Sequence, residues 1–189
     1  CRCCWAKSRS VGKIGSGMKQ SMETMTMNKE IERKFDVKEV PPDLPTNIKA
    51  ELTQTYALGH RFRSKETNQH TVSFVTYKGP ASESGMSRTE IEKGCPNWIV
   101  RLVHLLCKKT VHKTRYYLPI YTRRLGFPIL RCAELDIYHG ANKGLMTVEV
   151  ELGDEIEEIN PPDWFGEELT GDKKYDNASL ATNPYTTWN

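Results

Sequence analysis

The sequence predicts a mainly β protein of the α+β class, with eight strands in a barrel or a sandwich and with flanking helices. The length of 189 residues suits a single domain. Short segments with a period of two follow one another from Asn28 onward, and several carry a charge at every second position. Many short strands in one domain are typical of a barrel or a sandwich. The eight expected strands are residues 30–37, 51–58, 60–65, 71–78, 87–92, 111–120, 129–138 and 145–152.

Two segments break the period of two and predict helices. Apolar residues recur at helical spacing within residues 96–109, and Pro96 suits the first turn. These apolar residues are Trp98, Leu102, Leu105 and Leu106. A second, shorter helix is expected to begin at Asp154, because Asp154 and Glu157 have the spacing of a capping box, and to end before Pro161.

The chain is expected to divide into three parts. Residues 25–181 form one domain, and residues 182–189 form a C-terminal tail. Residues 1–24 lack both apolar periodicity and a signal-peptide core, so we expect a disordered extension outside the fold. An expression-vector remnant, an upstream read-through before Met25 or Met27, and a targeting extension all stay open as origins of this segment.

Composition excludes several classes of protein. Hydrophobic residues make up 38% and charged residues 27%, as in globular proteins, and no apolar run is long enough to cross a bilayer. The net charge of +3 is too small to indicate general binding to nucleic acid. The six cysteines include no C-x-x-C pair, which argues against a zinc site and for reduced thiols in a cytoplasmic setting.

The alternating charges are the most informative feature. Charges at every second position of a half-buried strand usually mark its exposed face. Here the alternation recurs in strand after strand with both signs present, as in Glu30, Glu32 and Lys34. A closed barrel with a covered outer surface would direct these charges into a wet tunnel. A polyanion bound by lysines and arginines, with Mg²⁺ or Mn²⁺ bound by carboxylates, would account for both signs.

Eight short motifs follow the charged strands in order. They are E-I-E-R-K at 30–34, Q-T-Y at 54–56, H-R-F-R at 60–63, T-Y-K-G at 76–79, S-R-T-E-I-E at 87–92, K-T-R-Y at 113–116, E-L-D at 134–136 and E-V-E at 149–151. With the ending at residues 162–177, they resemble the motifs of the CYTH family, also called triphosphate tunnel metalloenzymes, in its small inorganic-triphosphatase-like branch. The resemblance covers about residues 28–181.

The resemblance implies a closed eight-stranded antiparallel β-barrel with flanking helices. Its interior is a tunnel in which basic side chains clamp a triphosphate and carboxylates hold one or two Mg²⁺ or Mn²⁺ ions. The implied phosphate-binding residues are Arg61, Arg63, Lys78, Lys113 and Arg115, with Arg88 at a tunnel mouth. The implied metal ligands are Glu149, Glu151, Glu30 and Glu32, with Glu90, Glu92 and Asp136 as second choices that could instead pair with the arginines. Lys34 and Tyr56 resemble the family's catalytic pair near the scissile phosphate, beside Glu30 and Glu32.

Two departures from the family pattern carry structural expectations. Thr55 stands where the family usually has glycine, which implies an ordinary strand backbone at that position. Residues 121–131 are longer than the usual tight hairpin, so a protruding loop is expected there.

The leading functional interpretation is metal-dependent hydrolysis of inorganic triphosphate to diphosphate and phosphate. A nucleoside or thiamine triphosphatase, an adenylyl cyclase of class IV and a non-catalytic polyphosphate-binding module stay open as alternatives, because fold alone does not decide among them. The expected partner is a small triphosphate, without nucleic acid or membrane. The sequence does not decide the oligomeric state, and a homodimer stays open.

Overall fold

The computed structural model describes residues 28–41, 44, 48–83 and 86–188. The side chains of Asn28, Lys29, Glu30, Ala81 and Arg88 lie outside this description, as does the extension expected at residues 1–24. Among the described residues, no helix is long and apolar enough to cross a membrane.

The described part of the chain is dominated by strands. Their bounds are β1 Asn28–Val37, β2 Lys49–Ala57, β3 His60–Glu66, β4 Thr71–Ala81, β5 Ser87–Gly94, β6 Thr110–Arg124, β7 Phe127–His139, β8 Met146–Glu151, β9 Glu158–Ile159 and β10 Phe165–Glu168. All eight expected strands are confirmed, with ends that shift by a few residues. The short strands β9 and β10 were not expected from the sequence, and β9 lies within the segment that was predicted to be a helix.

All strand pairs are antiparallel, and the order in the sheet is β10-β1-β5-β4-β3-β2-β6-β7-β8. Strand β1 has several neighbours: residues 28–31 pair with β5, and residues 32–36 pair with β8. The fold is therefore a mainly β, antiparallel architecture with few helices, as the sequence predicted.

The helix expected within residues 96–109 is confirmed as α1, Asn97–Leu106. Its buried contact is Val100, whereas Trp98 and Leu105 are 69% and 82% exposed. The apolar residues that revealed the helix therefore do not form its packed face. A second helix, α2, spans Asn177–Leu180, and short 3₁₀ turns lie at Gly140–Asn142, Lys173–Tyr175 and Tyr185–Thr187.

The helix predicted to begin at Asp154 is wrong. The Gly153 amide donates to Glu157 Oε2 at 2.8 Å, and Arg131 Nε donates to Glu157 Oε1 at 2.7 Å. These bonds turn the Glu157 carboxylate into the protein, so that it cannot act as the reciprocal partner of a capping box. The chain instead forms a turn and continues into β9, which pairs with β6.

The protruding loop expected at residues 121–131 is also wrong. Strands β6 and β7 stay paired up to Arg124 opposite Phe127, so the segment is a two-stranded ribbon. Its turn consists of Leu125 and Gly126, with φ of 51° and 83°, the conformation of a tight type I′ hairpin turn. Strand β9 pairs with this ribbon and shortens its free edge. The strand backbone expected at Thr55 is confirmed, and its side chain is fully buried.

The two faces of the sheet carry different chemistry. On one face, apolar side chains of β1 and β6–β8 form the main core, which β10 and Trp164 cover. Phe35 packs on Phe165 with ring centres 5.0 Å apart, and Trp164 packs on Phe165 at 4.4 Å. Because strand side chains alternate, the opposite face carries the charged residues. We call it the charged face.

Two smaller apolar groups interrupt the charged face. The first, here called the floor cluster, comprises Ala50, Leu52, Tyr117 and Cys132, all buried. On their strands these residues are an even number of positions from Gln54, Arg115 or Glu134, so their side chains lie on the same face of the sheet. The second group joins Val111, Tyr138 and Leu145 to Leu180 of α2. It docks the C-terminal segment, residues 172–188, on the charged face.

Candidate active site

A cavity of about 300 Å³ opens on the charged face, and almost every side chain that lines it is charged or polar. The lining residues are Glu32, Lys34, Gln54, Tyr56, Arg61, Arg63, Lys78, Glu90, Glu92, Arg115, Glu134, Glu149, Glu151, Asp176, Asn177 and Ala178. Eleven of them were expected as site residues. Strand alternation explains this convergence, because residues two apart on a strand face the same side, and eight strands, β1 to β8, each contribute at least one residue.

On one wall, Glu149 of β8 joins two cations. Lys34 Nζ lies 3.0 Å from Glu149 Oε1, and Arg115 Nη2 lies 2.9 Å from Glu149 Oε2. Burial alone would lower the pKa of Lys34, but the acidic groups around it, Glu149 foremost, together outweigh burial and raise this pKa above its usual range. Burial would likewise raise the pKa of Glu149, whereas Lys34 and Arg115 lower it well below its usual range. Both groups stay charged.

On the opposite wall, two arginines of β3 face two carboxylates of β5. Arg63 Nη2 lies 2.8 Å from Glu92 Oε2, and Arg61 Nη2 lies 3.3 Å from the same oxygen. Arg61 also approaches Glu90 at 3.5 Å, and Lys78 pairs with Glu90. The carboxylates therefore neutralise the cations that were expected to bind phosphate.

The two arginines retain unused hydrogen-bonding capacity. The Nε atoms of Arg61 and Arg63 are buried and have no partner among the described residues. A buried N–H without an acceptor costs about 1–3 kcal/mol, more for a charged group. An anion in the cavity would supply the missing acceptor, since guanidinium groups bind phosphate oxygens in a forked geometry.

Lys113 and Asp136 lie behind the cavity wall and do not line it. Both side chains are fully buried and form an ion pair. Arg115 forms a bidentate ion pair with Asp136, in which Nε donates to Oδ1 at 2.7 Å and Nη2 donates to Oδ2 at 2.6 Å. Arg115 also pairs with Glu134. In this arrangement Asp136 holds Arg115 in place, which corresponds to the pairing alternative that the sequence left open for it.

Tyr56 and Lys34, the expected catalytic pair, both line the cavity. The Tyr56 hydroxyl donates to Gln54 Oε1 at 3.2 Å. Glu30 and Arg88 occupy directly opposed positions of β1 and β5, but their side chains lie outside the description. Their expected roles stay predictions.

Sequence reasoning assigned no role to Gln54, Glu134, Asp176, Asn177 or Ala178. The strand period could have identified two of them, because Gln54 is two residues before Tyr56 and Glu134 two before Asp136. The other three arrive from the C-terminal segment. The Lys34 ammonium donates to Tyr175 O at 3.3 Å, which ties this segment to β1.

The carboxylates can be tested as a metal site. Among the described residues, no three His, Cys, Asp or Glu side chains converge into a ready-made site. However, Glu32 and Glu151 both line the cavity and face each other across β1 and β8. Mg²⁺ usually keeps several waters and uses one or two carboxylates plus substrate phosphates. The donor set therefore fits a hard cation that binds together with a phosphate ligand.

Sequence comparisons connect this cavity to proteins of known activity. The chain is 34% identical over 167 residues to an inorganic triphosphatase of Acetivibrio thermocellus, a match that spans 84% of this chain and 97% of the relative. It is 37% identical over 162 residues to an inorganic triphosphatase of Nitrosomonas europaea, spanning 80% and 96% respectively. No family model matches the chain.

A comparison of folds agrees with the sequence comparisons. The crystal structure of the inorganic triphosphatase NE1496 matches 80% of this chain and 93% of that chain, with a TM-score of 0.51 and 30% sequence identity.

Proposed function

Because this chain belongs to the family of these inorganic triphosphatases, the CYTH or triphosphate tunnel family, we propose that it hydrolyses inorganic triphosphate to diphosphate and phosphate. The observation that carries the proposal is the cavity itself. Its walls hold cations and carboxylates side by side, and two buried guanidinium N–H groups lack acceptors among the described residues. A short phosphate chain has the charge and the oxygen density to satisfy them.

The reaction takes place, in this proposal, inside a closed tunnel of eight strands. The pairing of β1 with both β5 and β8 supports closure, since it joins the first strand of the domain to the last long one. The C-terminal segment covers part of the tunnel, with Asp176, Asn177 and Ala178 against the cavity.

Arg61, Arg63, Lys78 and Arg115 hold the phosphates and offset the negative charge that develops as the phosphoryl group is transferred. Lys34 stays protonated beside Glu149 and supplies a further fixed cation near the transferred group. Since these groups are held by carboxylates before substrate arrives, they are already oriented toward the cavity. Arg88 is proposed to act at the tunnel mouth.

Mg²⁺ or Mn²⁺ is the proposed cofactor. Glu32 and Glu151 would hold it, with Glu149 and Glu30 beside them, whereas Glu90 and Glu92 serve mainly as partners of Arg61, Arg63 and Lys78. When bound, the metal supplies charge neutralisation and activation of water. The protein's own residues position the phosphate chain and exclude competing orientations.

An inorganic substrate is favoured over an organic triphosphate by the composition of the walls. Tyr56 is the one aromatic side chain among the described residues that line the cavity. The residues of the floor cluster are buried and do not line the cavity, so they offer it no apolar surface for a base or a thiazole ring. A nucleoside or thiamine triphosphate would therefore bind with its organic part outside the cavity.

The test is a comparison of substrates. Protein with Mg²⁺ or Mn²⁺ is incubated separately with tripolyphosphate, ATP and thiamine triphosphate, and ion chromatography and mass spectrometry identify the products. We expect phosphate and diphosphate from tripolyphosphate, at a kcat/KM well above that for ATP. Cyclic AMP from ATP would replace this proposal with a cyclase, and binding of tripolyphosphate without turnover would replace it with a binding module.

Two further expectations belong to this proposal. The described cysteines Cys95, Cys107 and Cys132 are free thiols, which supports a reducing, cytoplasmic setting. The oligomeric state stays open, with a homodimer among the alternatives, and size-exclusion chromatography with light scattering is the direct measurement.

A further inference from the structure

Asn177 of the C-terminal segment places its side-chain amide against the cavity. It begins α2, more than twenty residues after the last long strand, and stands in the cavity wall between Asp176 and Ala178. The segment is fixed independently of this amide. Leu180 is fully buried, and Asn142 Nδ2 donates to Leu180 O at 3.3 Å.

Two donors fix the orientation of the Asn177 amide. The Tyr138 hydroxyl donates to Asn177 Oδ1 at 3.0 Å, and Lys113 Nζ donates to the same oxygen at 3.4 Å. A lysine ammonium donates only, so the atom beside it must be the amide oxygen and not the nitrogen. The Nδ2 group is therefore turned away from Lys113. Among the described residues, nothing accepts a hydrogen bond from it.

We propose that Asn177 Nδ2 donates a hydrogen bond to a phosphate oxygen of the bound triphosphate and is a substrate-binding residue. This inference rests on the proposed function and deepens it. The cationic donors of the cavity are already held by carboxylates, whereas the Asn177 amide is uncharged and has no competing acceptor among the described residues. It can bind phosphate without first breaking an ion pair. Lys113 and Tyr138 are what keep the amide in this orientation.

The experiment is a set of substitutions that distinguish the role of the Oδ1 acceptor of Asn177 from that of its Nδ2 donor. Asn177→Asp keeps the Oδ1 acceptor for Lys113 and Tyr138 but replaces the Nδ2 donor with an oxygen. Asn177→Ala removes the donor without adding charge. Asn183→Asp is the matched control, because it adds the same charge to an exposed position of the same segment. Binding of tripolyphosphate is measured by calorimetry with Ca²⁺ as a slow or inert metal, KM and kcat with Mg²⁺, and the melting temperature of each variant without ligand.

We expect Asn177→Asp and Asn177→Ala each to weaken tripolyphosphate binding and to raise KM by roughly 10- to 100-fold, the loss of one hydrogen bond to a charged group. The melting temperature of Asn177→Asp should stay within a few degrees of the parent, and Asn183→Asp should match the parent throughout. Tripolyphosphate affinity of Asn177→Asp within twofold of the parent overturns the inference. So does a parent that does not bind tripolyphosphate. If the parent binds tripolyphosphate without hydrolysing it and the Asn177 variants bind more weakly, the proposed reaction fails while this inference stands.

Discussion

Glu32 of β1 lies directly opposite Glu151 of β8 in the antiparallel register. Like charges in opposed cross-strand positions are destabilising, yet both side chains line the same cavity. A divalent cation between or beside them would turn this repulsion into a binding site. The pair is therefore expected to lower stability without metal and to support activity with it.

Glu151→Gln tests whether this carboxylate lowers stability without metal and supports activity with it. Without metal, the melting temperature should stay equal to the parent's or rise, because one of two opposed charges is removed. With Mg²⁺ or Mn²⁺, kcat should fall by about 100-fold or more, since a metal contact in phosphoryl transfer is lost. Steady-state kinetics and thermal unfolding measure both effects. Glu167→Gln on exposed β10 is the control, and equal kcat in Glu151→Gln and this control would remove Glu151 from the metal site.

Asp136→Asn tests whether Asp136 acts as a partner of Lys113 and Arg115 or as a metal ligand. The side chain is fully buried between these two cations, and breaking a buried ion pair from one side costs about 3–5 kcal/mol. We expect a loss of unfolding free energy of that size, measured by urea titration. The Mg²⁺ concentration for half-maximal activity should stay nearly unchanged. A large rise in that concentration with normal stability would assign Asp136 to the metal instead.

Glu157 gives the protein a specific sensitivity to acid. Burial alone would raise its pKa, but hydrogen bonds from Arg131, Thr122 and the Gly153 amide lower it to about 2. Because the folded pKa is below the unfolded value, this stabilisation is complete above about pH 4.5 and is lost as the pH falls toward 2. Glu157→Gln should lower the unfolding free energy at pH 7 by about 1–3 kcal/mol. The difference in unfolding free energy between parent and variant should narrow steadily between pH 4.5 and 2.5. A difference that does not depend on pH would contradict this assignment.

Lys65 has the opposite effect on stability. It lies on β3 beyond Arg63, with Nζ 5.0 Å from the centre of the Tyr117 ring. Burial and the nearby charge of Arg63 lower its pKa to about 8. A lysine with a lowered folded pKa destabilises the protein fully below pH 8, and this penalty fades as the pH rises toward 10.5.

Lys65→Met should therefore raise the melting temperature by a few degrees at pH 7, with a smaller gain at pH 9.5. Tripolyphosphate affinity should fall several-fold, because a cation whose charge acts on the same site as Arg63 and Arg115 is removed. Thermal unfolding at both pH values and calorimetric titration provide the measurements. Lys93→Met, an exposed position on β5, should change neither quantity. A lower melting temperature of Lys65→Met at pH 7 would show that packing of the lysine stem outweighs its charge.

The strands and most of the cavity could be predicted from the sequence because the two-residue period of strand side chains identifies the strands and also places side chains on one face. Residues two apart share a face, so Glu149 and Glu151, or Arg61 and Arg63, appear in the cavity as soon as their strands are recognised. The same period does not distinguish a residue that lines the cavity from one behind it. Lys113 and Arg115 are equivalent by alternation, yet only Arg115 lines the cavity. Their difference depends on the position of Asp136 and of Asn177, both distant in sequence.

The two errors had other causes. The turn between β6 and β7 is Leu125-Gly126, and the turn between β2 and β3 is Leu58-Gly59, with both leucines at φ 51°. Such turns favour Asn, Asp or Gly at the first position, so a leucine gives no local signal for the turn. The loop at residues 121–131 was expected from its length relative to the family's tight hairpin, and length alone does not distinguish a loop from an extended two-stranded ribbon. The capping-box spacing of Asp154 and Glu157 failed because Arg131, more than twenty residues earlier, binds the carboxylate.

The ion pairs that line the cavity make it comparable to an ion exchanger. Glu92 holds Arg63, and Glu149 holds Lys34 and Arg115, so each cation that turns to phosphate releases a carboxylate, and each carboxylate that turns to metal releases a cation. Metal and phosphate should then strengthen each other's binding by the same factor, as thermodynamic reciprocity requires. Without phosphate, a metal would have to displace the cations that hold the carboxylates. Without metal, a phosphate would have to displace the carboxylates that hold the cations.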